Sequence, residues 1–198
     1  MKNISKIIHQ IQEEAPPQIA TILSNLAQTW IEKHSIWQYK LWDIQKIREL
    51  IRREFPHFNT FYDSNSNNKL LLGISRYFIL YHEGGIFADS DIECIESFDE
   101  IVKGKQCCLS YTPQLSSSKV ISDSLLISEK EHQFLKFIIE RLNNNLNCWT
   151  EEGEAFLNKT YALYDNKEQV EILPSSITRP FSPAEINILP ITPESDGR

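Results

Sequence analysis

The stretch Lys69–Glu93, KLLLGISRYFILYHEGGIFADSDIE, constrains the fold of this chain more than any other. Leu70, Ile74, Tyr77, Phe78 and Tyr81 recur at helical spacing, so Lys69–His82 is predicted to be an amphipathic helix. Gly84-Gly85 ends it, because a sharp helix-to-strand turn needs backbone conformations that glycine adopts without strain. Ile86-Phe87-Ala88 then reads as a short buried strand that delivers Asp89-Ser90-Asp91 at its end. Two carboxylates two residues apart at a strand end can share one hard divalent cation, which takes its remaining ligands from phosphates and water. The alternative for such a pair is a solvated acidic turn.

At 198 residues, 41% of them hydrophobic, a single domain over residues 1–198 with a sizeable core is expected. A net charge of -7 and a pI near 5.3 argue against nucleic acid or an anionic membrane as the main partner. A phosphate-bearing ligand stays open, since a metal can supply the positive charge. Cys94, Cys107, Cys108 and Cys148 form no CxxC pair, which favours reduced thiols over a disulfide framework or a zinc site. No run approaches the ~20 apolar residues of a membrane span, and no signal-peptide core follows Met1-Lys2. The expectation is a soluble, cytoplasmic protein without a transmembrane segment.

Lys6–His9 reads as a first strand, and Pro16-Pro17 as a helix start. Ile19, Ile22, Leu23, Leu26 and Trp30 give that helix a predicted core face to about Lys33. Trp37–Asp43 alternates as a half-buried strand should, with Asp43 as N-cap of a second helix, Ile44–Phe55. Asp63–Asn68 is predicted to be a loop. Ile92, Ile95 and Phe98 are expected to continue a buried edge after the DxD, and Gln106–Tyr111 to form a strand. Pro113–Lys119 is expected to be a polar loop, a lid or a mere connection. Val120–Ser128 is a further predicted strand, carrying Asp123 and Ser124. Ser128-x-x-Glu131 offers a capping box to a helix with Phe134, Leu135, Ile138, Ile139 and Leu142 on its core face. Glu151–Leu157 reads as a helix start and Val170–Leu173 as a late strand. From there Pro174, Pro180, Pro183, Pro190 and Pro193, five of the nine prolines, mark an irregular tail.

The order Arg76-Tyr77-x-x-Leu80-Tyr81-x-x-Gly84-Gly85-x-Phe87-x-Asp89-x-Asp91 resembles the shared block of glycosyltransferase family 32 and its relatives, the clostridial glucosylating toxins. KIIHQIQEEAPP at residues 6–17 resembles that family's opening, and Trp37–Asp43 its next strand. The resemblance implies a GT-A type α/β fold, a mixed, mainly parallel sheet flanked by helices with the DxD at its carboxyl edge. It implies a hexosyltransferase that moves a hexose from a UDP- or GDP-sugar to a glycan or protein acceptor, retaining anomeric configuration, with Mn²⁺ or Mg²⁺. Asp89 and Asp91 are the implied metal ligands, Asp91 the more direct. With Arg76 they form the implied catalytic set. His9, Arg76, Tyr77, Gly84, Gly85, Asp89 and Asp123 are the implied donor-binding residues, although a strand histidine such as His9 is more often a satisfied core group.

Three positions depart from the family pattern. Gly73 stands where it has a donor-binding Asp, Gln12 where it has a Trp near the base, and a terminal Ser-Trp segment has no counterpart. They keep a non-catalytic sugar- or protein-binding domain open as the alternative, beside a toxin-like enzyme acting on a protein. A haloacid dehalogenase type phosphohydrolase also begins on DxD after a strand. It needs Thr or Val where Glu93 stands.

Overall fold

A computed structural model describes residues 3–12, 15–112, 119–144 and 153–178. The first strand, β1 (Ile7–Ile11), leads through helix α1 (Pro17–Lys33) to β2 (Gln38–Trp42). Helix α2 (Ile44–Glu54), a 3-10 turn at Pro56–Phe58, α3 (Asn59–Ser64) and α4 (Asn68–Glu83) follow. Next come β3 (Gly85–Ala88), a short α5 (Asp99–Val102), β4 (Cys107–Tyr111) and β5 (Ile121–Ser128). The rest is α6 (Gln133–Asn144), α7 (Gly153–Leu163), β6 (Glu171–Leu173) and a single turn, α8 (Ser175–Thr178).

The six strands form one sheet in the order β2-β1-β3-β5-β4-β6. β1 runs parallel to β2 and β3, and β4 parallel to β6; only β5 is reversed, between β3 and β4. The sheet is therefore mixed and mainly parallel, as expected. One apolar layer packs α2, α4 and α6 against it through Phe58, Phe78, Leu71 and Phe134, all fully buried. A smaller layer on Ile8, Trp30, Ile86 and Ile127 closes a second cluster.

α4 explains why the central stretch folds as it does. The Asn67 side chain accepts from the Leu70 N–H at 3.1 Å, satisfying one of the orphan donors of the first turn. The helix is buried on most of its circumference from Leu70 to Leu80, and Gly84, at φ 70°, ends it by donating to the Leu80 carbonyl. Asp43 caps α2 as predicted, its carboxylate accepting from the Lys46 N–H at 2.9 Å. Cys94, Cys107 and Cys108 are buried free thiols, and Cys148 lies outside the described residues.

Several expectations need correction. The apolar stripe of α1 is not a core face throughout: Ile19 is 46% and Ile22 53% exposed, and only Trp30 is buried. The second half of α1 has something to pack on, since Trp30 stacks on His34 and Phe98 and its indole N–H reaches the Ile92 carbonyl at 2.8 Å. The Asp63–Asn68 loop is shorter than predicted, because buried Tyr62 anchors α3 and Asp63 pairs with Arg48 and Arg52. Of the edge expected after the DxD, Phe98 is buried and Ile92 packs against the smaller core cluster, but Ile95 is 65% exposed. The Ser128–Glu131 capping box is not made. The Ser128 hydroxyl donates to the Glu129 carbonyl, Glu131 takes a left-handed φ of 59°, and the His132 ring accepts from the Phe134 N–H at 3.2 Å as α6 starts. Ser175–Thr178 is helical where an irregular tail was expected. Residues 113–118 of the predicted lid loop, and Glu151 and Glu152 of the predicted helix start, lie outside the described residues.

Candidate functional site

The carboxyl ends of β1 and β3, the amino end of the reversed β5 and one face of α4 meet around a cleft of about 750 Å³. Because β5 runs against β3 with Ala88 opposite Leu125, the end of β3 and the start of β5 fall at the same sheet edge. Asp89 follows β3, Asp123 stands near the start of β5, and the Asp89 N–H donates to the Ser124 carbonyl at 2.8 Å. Gln10 of β1 donates from its side chain to the Asp89 carbonyl at 3.1 Å. The backbone carrying the DxD is thus fixed from both neighbouring strands.

Arg76 projects from the middle of α4 into this edge. Its guanidinium lies 3.3 Å from the Asp89 carboxylate and 3.6 Å from that of Asp123. It also donates to the Asp123 and Gly73 carbonyls and sits 5.0 Å over the Phe87 ring. A planar fork with several donors suits such a role better than an ammonium. Asp91 and Ser90 complete the edge, with Asp91 exposed to the cleft.

Burial pushes the Asp89 carboxyl up to about 6, the Arg76 guanidinium opposes that shift, and the negative charges of Asp123 and Asp91 add to it. Three carboxylates share this edge with one arginine. Hard oxygen donors, a carboxylate that is costly to ionise, and an open side toward Asp91 fit a divalent cation held by few protein ligands. Asp89 and Asp91 would hold it. Among the described residues, no group of three or more His, Cys, Asp or Glu is placed to hold a metal ion by itself. Phosphate or water oxygens would then complete the shell.

The structure brings together Arg76, Tyr77, Asp89, Asp91 and Asp123. Tyr77 is buried in the cleft wall, its phenol pushed up by burial and by Asp123. His9, which the resemblance implies as donor-binding, does not join them and is the satisfied core group that a strand histidine more often is. It is fully buried; its Nδ1 accepts from the Trp42 indole at 3.1 Å, which leaves Nε2 to donate to the Gly84 carbonyl at 2.9 Å. Gly84 and Gly85 also stand away from the cleft. They form the tight turn behind it, where added Cβ atoms would fall 2.7 Å from the Lys130 nitrogen and 2.3 Å from the Ile7 carbonyl oxygen. Gln12 is exposed beyond the end of β1 and, like these three, is not among the cleft-lining residues. Reasoning from sequence missed Ile19 and Leu23 of α1 as cleft residues, with Lys69 of α4 and Gly153 and Phe156 of α7. For Lys69 a signal existed, since it precedes Arg76 by seven residues on one helix face.

His9 and Asp89 set opposing pH dependences. Burial depresses His9 from 6.5 to about 4, so protons favour the unfolded chain in that window and acid destabilises the fold. Asp89 is raised from 3.8 to about 6, so protons favour the folded chain and acid stabilises it. In Asp89→Asn the second contribution is gone. The loss of stability on acidification from pH 6.5 to 4 is therefore expected to be steeper than in the parent protein, as measured by denaturant titration at each pH.

Residues 22–108 match the family model described as the glycosyltransferase sugar-binding region containing the DXD motif. That span includes the whole Arg76 to Asp91 block. Over that span the chain is similar to the DXD glycosyltransferases. It is 32% identical over 141 residues to inositol phosphoceramide mannosyltransferase 3 of Schizosaccharomyces pombe, covering 70% of this chain and 37% of that protein. It is 26% identical over 161 residues to inositol phosphoceramide mannosyltransferase 1 of the same yeast, covering 80% of this chain and 49% of that protein. The chain thus spans less than half the length of these relatives. Among solved structures it is similar to the PaToxG glycosyltransferase, with a TM-score of 0.53 at 15% identity over 80% of this chain and 69% of that one. At that identity the likeness concerns the fold, and the fold is of the GT-A type. No described helix is long and apolar enough to cross a membrane.

Proposed function

We propose that this chain transfers a hexose from a nucleotide diphosphate sugar to a glycan or other acceptor, with a divalent cation and with retention of anomeric configuration. The observation that carries this reading is the pairing of Asp89 and Asp123 with Arg76 at one sheet edge, with Asp91 on the lining of the same cleft, which is large enough for a small ligand. A diphosphate leaving group carries charge that three carboxylates repel. A bound Mn²⁺ or Mg²⁺ supplies Lewis acidity to that leaving group. Asp91, exposed, is the accessible ligand, while Asp89 is held in place by Arg76 and by its anchored backbone. Arg76 keeps the Asp89 and Asp123 carboxylates oriented against their mutual repulsion. The named activity of the yeast relatives makes mannose one hexose to test.

The experiment is a thermal-shift panel of UDP and GDP at millimolar concentration, with and without Mn²⁺ or Mg²⁺. A ligand at 100 times its Kd adds about 2.7 kcal/mol, or roughly 5–11 °C for a chain of this size. The shift is expected only when metal is present. A second reading, a binding domain without catalysis, draws on Gly73, which leaves out the carboxylate of the family pattern. Flat responses to both nucleotides with metal would favour it.

A further inference from the structure

We propose that Lys69, together with the gap left by Gly73, recognises an anionic substituent, a carboxylate or a phosphate, on the sugar that occupies the cleft. The inference rests on the nucleotide-sugar reading above and concerns the part of the cleft that reading leaves unused. Lys69, Gly73 and Arg76 follow one another at four and three residues along α4, so they share a face, and all three line the cleft. Arg76 is already committed to Asp89 and Asp123. Lys69 is exposed, and among the described residues it makes no salt bridge; it is the only cation besides Arg76 on the cleft lining.

Between them, a Cβ built on Gly73 would meet nothing within 4 Å. Glycine in a helix interior costs about 1 kcal/mol against alanine, and nothing in the packing here demands it. What the glycine supplies is room on the cleft side of α4. Seven residues of helix set Lys69 about 10 Å from Arg76 along the axis, and helical side chains lean toward the N-terminus. The ammonium therefore lies away from the carboxylate edge where a diphosphate would be anchored. It falls at the level of the sugar or of the group receiving it. The same cleft is lined by the aliphatic side chains of Leu70 and Leu72 of α4 and of Ile19 and Leu23 of α1. With Asp89, Asp91 and Asp123 in the same cleft, an anionic sugar would be repelled unless Lys69 met it.

The test is calorimetric, on the whole chain with Mn²⁺ present. One arm compares UDP-glucuronate with UDP-glucose. The other compares mannose 6-phosphate with mannose in the presence of UDP or GDP. Lys69→Gln is expected to lower the affinity ratio of anionic to neutral sugar about tenfold, the size of a lost charge-assisted hydrogen bond. Gly73→Asp, which sets a carboxylate one turn from Lys69 and fills the gap, is expected to erase the same preference. A change in the first arm assigns the anion to the donor, and a change in the second to the acceptor. The proposal is overturned if neither ratio moves in either variant, or if Lys69→Gln weakens UDP and GDP themselves by the same factor. Failure of the parent protein to bind UDP or GDP with metal is a different outcome: it removes the nucleotide-sugar reading, and this proposal with it.

Discussion

Asp91→Asn is expected to lower metal-dependent transfer, or hydrolysis of the nucleotide sugar, by a factor of about 100 or more while the protein stays folded. Asp91 is exposed at the cleft, one residue beyond Ser90 on the turn after β3, so asparagine replaces it with little change in packing. Exposed substitutions of this kind usually stay within about 0.5 kcal/mol. Removing its charge also relieves part of the repulsion that raises Asp89. Stability should therefore hold or rise slightly. The amide is a far poorer ligand for a hard cation than the carboxylate, and a catalytic cation contributes several kcal/mol to charge developing on a phosphate oxygen. Turnover and thermal midpoint, measured on the same preparation, separate the possibilities. A variant that unfolds would make Asp91 a structural turn residue. One that keeps its metal-dependent turnover would move the cation elsewhere on the edge.

The part of this site that could be read from sequence is the part encoded locally. Helix, glycine turn, strand and DxD follow one another within 25 residues, so periodicity and turn chemistry give the elements that carry Asp89–Asp91, while the resemblance singles out Arg76 on the helix before them. Asp123 is named as a donor-binding residue only through the family resemblance; the residues themselves show no more than a polar side chain in an apolar strand. Its position beside Arg76 depends on β5 inserting antiparallel next to β3, a pairing across almost 40 residues that no local pattern announces. His9 shows the converse, a residue for which two roles stay open. The strand pattern was right, but the partners of its two nitrogens, Trp42 and Gly84, are 33 and 75 residues away. Without them a buried, neutral histidine cannot be told from a ligand. For α1, period 3.6 identified an apolar stripe but not how much of it has anything to cover it; Ile19 and Leu23 line the cleft instead. Helical spacing reports which residues share a face, while the neighbour opposite that face is set by topology.

Gly85→Ala is expected to destabilise the protein by about 3 kcal/mol or more, a fall in Tm of roughly 6–12 °C. Gly85 adopts φ 105°, where an L side chain is strained in any surroundings. Its new Cβ would also stand 2.3 Å from the Ile7 carbonyl oxygen, which is backbone and cannot swing aside. Nor can β3 retreat. Gly85 faces Ser128 of β5 on one side, while Ile86 and Phe87 are registered on Ile8 and His9 of β1 on the other. Gly73→Ala is the internal contrast: the same methyl on the preceding helix meets nothing within 4 Å, and alanine should stabilise the helix by up to about 1 kcal/mol. Denaturant titration of the two variants should thus move in opposite directions. Equal, small effects would mean that the turn accepts a side chain and that β3 has freedom to shift. That freedom would bear on the chemistry, because Asp89 is only four residues past Gly85. Its place beside Arg76 depends on β3 entering the sheet at this one angle. A tolerated Gly85→Ala that still lost metal-dependent nucleotide binding would show that the glycine turn sets the carboxylate edge without carrying the fold.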